Sequence, residues 1–412
     1  MSQPAVVPIP PDLAARYTRS SAGRAWLASL PDLIRGRLEN WQLTPDLLPG
    51  ALPWNGHGGM VIPVRQEDGA PAALKIAFPH DEARVERHAL ALWQGRGAVA
   101  LLASDAGTCA MLLERLDNGH SLATVPMEDA VLVWAGLVRQ LSLTPDDRPQ
   151  WFEFEHIAAR AEQWSDDLPA EWEQLGRPFP RWLLEAALEV CQTRGAVGRR
   201  SARDALVHTD LHYLNVLARP AGPAAARQAS AGQATDGQAS AGPAAARQAS
   251  AGQATDGQAT DGQASAGPAA ARQVSAGQAA DGQATEEFTT AAGYAAIDPQ
   301  PMIGEPEFAV APLLWNRLSG LPLQDPAAGL RRRCAEFSSA AGLDPDVARQ
   351  WGIAREVANA LGYAGKPDHR GDLARSLWVA STLAGRTLDG LPPAHRLPEP
   401  GEAGGRQLKS FS

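Results

Sequence analysis

A chain of 412 residues is long enough for two lobes, each with its own apolar core. Its net charge of −9 at pH 7 excludes a general nucleic-acid binder and a protein drawn to anionic membranes. No run approaches the roughly 18 apolar residues that cross a bilayer, and Met1–Pro11 lacks the basic-then-apolar order of a signal peptide. Cys109, Cys191 and Cys334 are odd in number and far apart, so they form neither a metal-ligand pair nor a disulfide framework; a reducing cytoplasm is expected.

From about Leu13 to Asn40, the apolar residues Leu13, Tyr17, Trp26, Leu30 and Leu33-Ile34 recur at helical spacing. Trp54-Asn-Gly-His-Gly-Gly59 follows. Gly56, Gly58 and Gly59 would let backbone amides approach phosphates closely, although an ordinary hairpin turn explains three glycines equally well. Met60–Val64 and Ala72–Ile76 read as strands joined by the polar run Arg65–Gly69. Lys75 lies inside the second strand, where an unpaired ammonium would be costly. One reading has it binding the α/β-phosphates of a nucleotide, held by a glutamate from the next helix; the other turns it to solvent. Asp81–Trp93 supplies that helix, with Glu86 beside its apolar face and Glu82 as the alternative one turn earlier. Leu112–Leu116 then reads as a strand entering a lobe-connecting segment, whose backbone around Glu114 would hydrogen-bond an adenine.

The most informative run is His208-Thr-Asp-Leu-His-Tyr-Leu-Asn215, set between apolar Ala205–Val207 and Val216-Leu217. It suits a short loop between extended segments, with Asp210 and Asn215 free to face a cleft. In phosphoryl transfer an Asp in the first position accepts a hydroxyl proton, and an Asn five residues on helps to hold Mg²⁺. A capped surface turn is the plain alternative. The two histidines with Asp210 also invite a zinc site, but no second compact His/Asp cluster completes one. His208 reads instead as a structural residue at the loop base, and His212 as a loop residue near phosphate or substrate.

Between Pro220 and Thr285 the composition changes. Pro-Ala-Ala-Ala-Arg-Gln begins at Pro223, Pro243 and Pro268, and the segment's only large aliphatic residue is Val274. Such text has almost nothing to bury against its ordering entropy, and each unit lacks the apolar face of a stacked repeat. A disordered insertion is expected. If Val216–Ala218 and Ala295–Ile297 form one hairpin, the repeat only lengthens its turn, at a cost that grows logarithmically. Without it, Asp298 follows Asn215 by under about twenty residues, where a second metal-binding Asp after a strand is required. Beyond Asn316, helices are expected over Leu330–Ala341, Pro345–Leu361 and Asp372–Ala384, lining an acceptor pocket. Glu356 is a candidate for a cationic acceptor, with a solvated helix face as its alternative.

The order of these elements resembles the aminoglycoside phosphotransferase group of the protein-kinase-like fold, and more narrowly the streptomycin 6-kinase and hydroxyurea phosphotransferase family. Asp298-Pro-Gln-Pro301, Gly304-Glu-Pro306 and Ala311-Pro-Leu-Leu-Trp-Asn-Arg317 carry the likeness, supported by Pro79-His80, Trp93, Gly95–Val99 and Leu113–Leu116. The resemblance spans roughly Leu47 to Arg386 outside the repeat. It implies an α+β, two-lobed fold, with a small β-rich N-lobe and a larger, mainly helical C-lobe. The corresponding divisions are an N-terminal helical segment and nucleotide-binding lobe over 1–115, a catalytic and acceptor lobe over 116–395, the insertion over 219–286 and a loose tail over 398–412.

The same likeness implies an ATP- and Mg²⁺-dependent O-phosphotransferase acting on a small hydroxylated acceptor, aminoglycoside or hydroxyurea-like, with no nucleic-acid or membrane partner. Asp210 would be the catalytic base, Asn215 and Asp298 would hold Mg²⁺, Lys75 would contact phosphates and Glu86 would position Lys75. Thr209 and Leu214 depart from the family's small residues, Glu305 replaces an Asp, and Ala309 stands where an Asp usually buttresses the catalytic loop. A kinase-like protein that only binds a nucleotide or a partner is the competing reading.

Overall fold

The computed structural model describes residues 7–56, 58–195, 203–220 and 293–399. Apart from Arg219 and Pro220, the expected insertion therefore lies outside the described residues, as does the tail beyond Glu399.

The N-terminal helical pattern resolves into two helices, α1 (Pro11–Tyr17) and α2 (Ser21–Asn40), rather than one. The break is local chemistry. Ser20 caps α2 by accepting from the Gly23 amide at 3.0 Å, and a Cβ on Gly23 would stand 2.2 Å from the Tyr17 carbonyl oxygen. Leu13, Trp26, Leu30 and Ile34 are thereby turned onto one face of a sheet.

That antiparallel sheet holds β1 (Thr44–Pro45), β2 (Trp54–Asn55), β3 (Gly59–Arg65), β4 (Pro71–Ala77), β5 (Leu101–Asp105) and β6 (Ala110–Glu114) in the order β1-β3-β4-β6-β5, with β2 also on β3. Alternation along β4 decides its two faces. Ala72, Leu74 and Ile76 join the core under α1 and α2, whereas Ala73 joins the larger core on the other side. Lys75 shares the Ala73 face, toward the site. Helix α3 (Asp81–Trp93) covers that face, capped by His80.

After α3 and β6 the chain turns mainly helical: α4 (Met127–Leu141), α5 (Ile157–Gln174), α6 (Arg181–Arg194), α7 (Ala311–Leu314), α8 (Pro326–Ala341), α9 (Pro345–Tyr363) and α10 (Arg370–Leu383). Buried Trp134, Phe337 and Trp351 fill the space between them. Two small sheets frame the loops. β8 (Ala205–His208) pairs with β11 (Pro301–Gly304), and β9 (Val216–Ala218) lies between β7 (Asp117–Ser121) and β10 (Tyr294–Ala296). The hairpin across the insertion forms with Ala218 opposite Tyr294 and Val216 opposite Ala296, one residue earlier than the sequence pattern places it. Arg219, assigned by composition to the insertion, belongs to the fold: its amide donates to Gly293 O at 2.8 Å, and its guanidinium bonds Tyr294 O, Gly95 O, Ala98 O and Glu114.

Two features of this scaffold are testable. A Cβ on Gly59 would stand 2.3 Å from Ile76 O in the paired strand, so Gly59→Ala must push β3 from β4. A loss of about 1–3 kcal/mol in chemical unfolding is expected, and an unchanged midpoint would contradict this packing role. His208 ends β8 with its ring stacked on Trp93, centroids 6.1 Å apart, and Nε2 donating to Ile297 O at 3.0 Å. Burial pushes its pKa down to about 4. Unfolded, the imidazole takes its proton near 6.5, so between those values the unfolded chain binds more protons. Stability should be intact above about pH 6.5 and fall by roughly 3 kcal/mol toward pH 4. Urea unfolding of His208→Gln across this window should give a flatter profile than wild type; identical slopes would refute the assignment.

Candidate active site

The site is built around Lys75. Projecting from β4, it is 9% exposed and meets Glu86 of α3, 4% exposed, with Nζ at 2.6 and 2.7 Å from the two carboxylate oxygens. Nζ also lies 2.7 Å from Asp298 Oδ1. Burial works against the lysine's charge, but Asp298 and Glu86 together raise its pKa above the ordinary value. For Glu86, burial outweighs the lysine and raises the carboxyl. For Asp298, whose side chain is about half exposed at 48%, Lys75 prevails over burial and lowers it. Glu82, the alternative partner, is exposed on the outer face of α3.

Asp298 follows β10 with φ +52°, a left-handed conformation that Asp and Asn tolerate better than other side chains. Its second oxygen, Oδ2, faces the glycine turn: a Cβ on Gly56 would stand 3.8 Å away. The β8–β9 loop carries Asp210 and Asn215. Asn215 Nδ2 donates to both Asp210 O, at 3.0 Å, and Asp210 Oδ2, at 3.1 Å. With the amide nitrogen spent on Asp210, the carbonyl end of the Asn215 side chain is its remaining ligating atom. The loop is tied to the Asp298 segment from three directions. The Ile297 amide donates to Asn215 O at 2.9 Å, the Thr209 hydroxyl donates to Gln300 O at 2.6 Å, and His208 bonds Ile297 O.

His212 is organised differently from its neighbour. Its Nδ1 accepts from the Leu214 amide at 3.2 Å, so the neutral ring carries its proton on Nε2, 3.6 Å from Asp210 Oδ2. Burial lowers its pKa, against the pull of Asp210. His208 points away, toward Ile297 O, so the zinc alternative lacks its second imidazole.

The glycines divide. Gly56 is exposed above Asp298, Gly58 stands beside His80, and Gly59 is a buried strand residue whose missing Cβ serves the approach of β4. At Glu114, the amide donates to Ala100 O at 2.9 Å and the carboxylate accepts from the Ala100 amide and Arg219. Glu356 is not on a solvated face; it is 1% exposed between α9 and α10, accepts from Asn359 at 3.2 Å, and burial pushes its pKa up to about 7. Sequence patterning missed Arg355, one residue before it, which donates to Thr209 O and approaches Asp210 Oδ1 to 3.6 Å. An arginine on an amphipathic helix carries no signal of a backbone partner 146 residues away.

Against known proteins, the profile of the aminoglycoside/hydroxyurea antibiotic resistance kinases matches residues 40–222. The chain is 30% identical over 366 residues to a streptomycin 6-kinase of Streptomyces glaucescens, covering 88% of this chain and 92% of that one. It is 28% identical over 396 residues to a hydroxyurea phosphotransferase of Kitasatospora aureofaciens, covering 93% and 87% respectively. Among solved structures, a macrolide 2′-phosphotransferase of Brachybacterium faecium aligns with TM-score 0.44 at 16% identity, over 85% of this chain and 98% of that one. The match to the streptomycin kinase runs almost end to end through both chains. On that ground this chain is a phosphotransferase belonging to the aminoglycoside/hydroxyurea antibiotic resistance kinase family.

Proposed function

We propose that the chain transfers the γ-phosphoryl group of ATP, with Mg²⁺, to a hydroxyl of a small acceptor of the aminoglycoside or hydroxyurea type, in the reducing cytoplasm that its free cysteines suit. The observation that carries this reading is that the loop bearing the paired Asp210 and Asn215 is tied, through the Ile297 amide, to the segment of Asp298, whose carboxylate meets Lys75.

The residues fit a magnesium nucleotide. Magnesium takes oxygen ligands and is usually held by one or two carboxylates together with substrate phosphates, and Asp298 Oδ2 and the Asn215 side-chain carbonyl are such donors. Bound there, the ion would neutralise phosphate charge. Lys75 would contact the phosphates, fixed in place by Glu86, while the turn at Gly56 and Gly58 would close over them. The strand-paired Gly59 and the committed groups of Glu114 have structural roles in this reading. Asp210 would orient the acceptor hydroxyl and take its proton. The acceptor oxygen forms its bond to the γ-phosphorus as the bond to the β,γ-bridging oxygen breaks, and ADP leaves. Such chemistry depends mainly on positioning and charge stabilisation, which these fixed groups supply.

An ATP-consumption panel of aminoglycosides and hydroxyurea tests the proposal. Wild type should phosphorylate at least one acceptor, and Asp210→Ala should lower kcat by about 10²–10⁴-fold while nucleotide affinity persists. If both proteins bind ATP equally and neither turns over any acceptor, the binding-protein reading prevails. A second experiment addresses the metal. Asp298→Asn should raise the Mg²⁺ concentration for half-maximal nucleotide binding by about tenfold or more, read by titration at fixed ATP. An unchanged Mg²⁺ requirement would remove Asp298 from the ligand set.

A further inference from the structure

Ala309 presents a problem. The family resemblance sets an acidic residue here as a brace for the catalytic loop, but the Ala309 methyl group, 3% exposed, offers no acceptor. The loop is nevertheless held from its carbonyl side. From α9, Arg355 donates through Nη1 to the carbonyl oxygen of Thr209 and places Nη2 3.6 Å from Asp210 Oδ1. The Thr209 carbonyl belongs to the peptide that joins Thr209 to Asp210. Fixing it sets the plane from which the Asp210 Cα–Cβ bond projects.

The guanidinium is itself fixed. Its central carbon lies 5.4 Å from the Phe308 ring centroid, over the face of the residue beside Ala309, and only 15% of the Arg355 side chain is exposed. Phe308 in turn packs edge-on against Trp351 of α9, centroids 5.2 Å apart. Two nitrogens of one rigid fork therefore serve the backbone and the side chain of the same dipeptide, which a flexible lysine ammonium cannot reproduce.

We propose that Arg355 is a positioning residue of the catalytic loop, a cation from α9 that holds the Thr209–Asp210 peptide from its carbonyl side. The inference rests on the kinase reading for its kinetic consequence, but not for its structural one. Helix α9 thereby becomes part of the catalytic framework, holding the Thr209–Asp210 peptide through Arg355.

The test compares wild type with Arg355→Met, which keeps bulk but loses every donor, and Arg355→Gln, which retains one neutral donor for Thr209 O. Hydrogen exchange is followed in peptides covering residues 205–218, with steady-state kinetics on an accepted substrate and MgATP affinity by calorimetry. Arg355→Met should speed exchange in that loop by about tenfold without speeding it in α4 or α8. Its kcat should fall by about 10²-fold while the ATP dissociation constant stays within about threefold of wild type. Arg355→Gln should show loop protection between the two and still lose most of kcat. Should Arg355→Met fail to fold, Arg355→Gln alone decides. Wild-type loop exchange together with kcat within about threefold of wild type, in the folded variants, would overturn the proposal. If wild type phosphorylates no acceptor, loop exchange still decides the Arg355 contact, and only the kinase reading falls.

Discussion

The cluster of Lys75, Glu86 and Asp298 is the constraint on which the rest of the molecule depends. One ammonium joins a strand of the N-terminal sheet, the helix that covers it and the loop after β10, three parts of the chain that share no local sequence. Burying such groups is not a stability device. A buried ion pair such as Lys75–Glu86 is often no better than apolar packing, whereas removing one of these two partners strands a charge at a cost of about 3–5 kcal/mol. The arrangement is therefore tightly coupled, since displacement of any one element unbalances the other two. A phosphate entering the cleft would meet an ammonium already charged and already fixed.

Around this cluster, the polar loops are held mostly through backbone atoms. Ile297 alone serves twice, its carbonyl accepting from His208 and its amide donating to Asn215. Thr209 turns its hydroxyl to Gln300 O and so adds a tie that glycine could not make. The loop has exchanged backbone freedom for an additional anchor. This fits a site whose catalytic power lies in keeping a few polar atoms at fixed separations.

Much of this was legible in the sequence, for identifiable reasons. Lys75 stood out because an ammonium inside an apolar strand demands a partner, and α3 offered Glu86 beside its apolar stripe. Asp210 and Asn215 stood out because a polar pair between two apolar runs marks a loop on strand ends. The hairpin across the repeat was readable from two short apolar runs, although their register slipped by one residue. Other features left weaker traces. The break between α1 and α2 was encoded in Ser20 as a cap, but the continuous apolar period on either side hides it. Glycine text cannot distinguish close approach to a phosphate from close approach to a neighbouring strand, and at Gly59 the space a Cβ would need is taken by β4. Arg355 and Arg219 act on backbone carbonyls distant in sequence, and such contacts leave no spacing to detect.

The Arg219–Gly293 hydrogen bond closes the ladder at the point where the chain departs and returns. Its neighbours Val216 and Ala296 already stand opposite each other, and Asn215 and Asp298 lie just beyond them. Asn215 and Asp298 are thus set relative to each other by this closed end of the ladder. The two strands that carry these groups are joined to each other by the fold itself, independently of the stretch of chain that connects them in sequence.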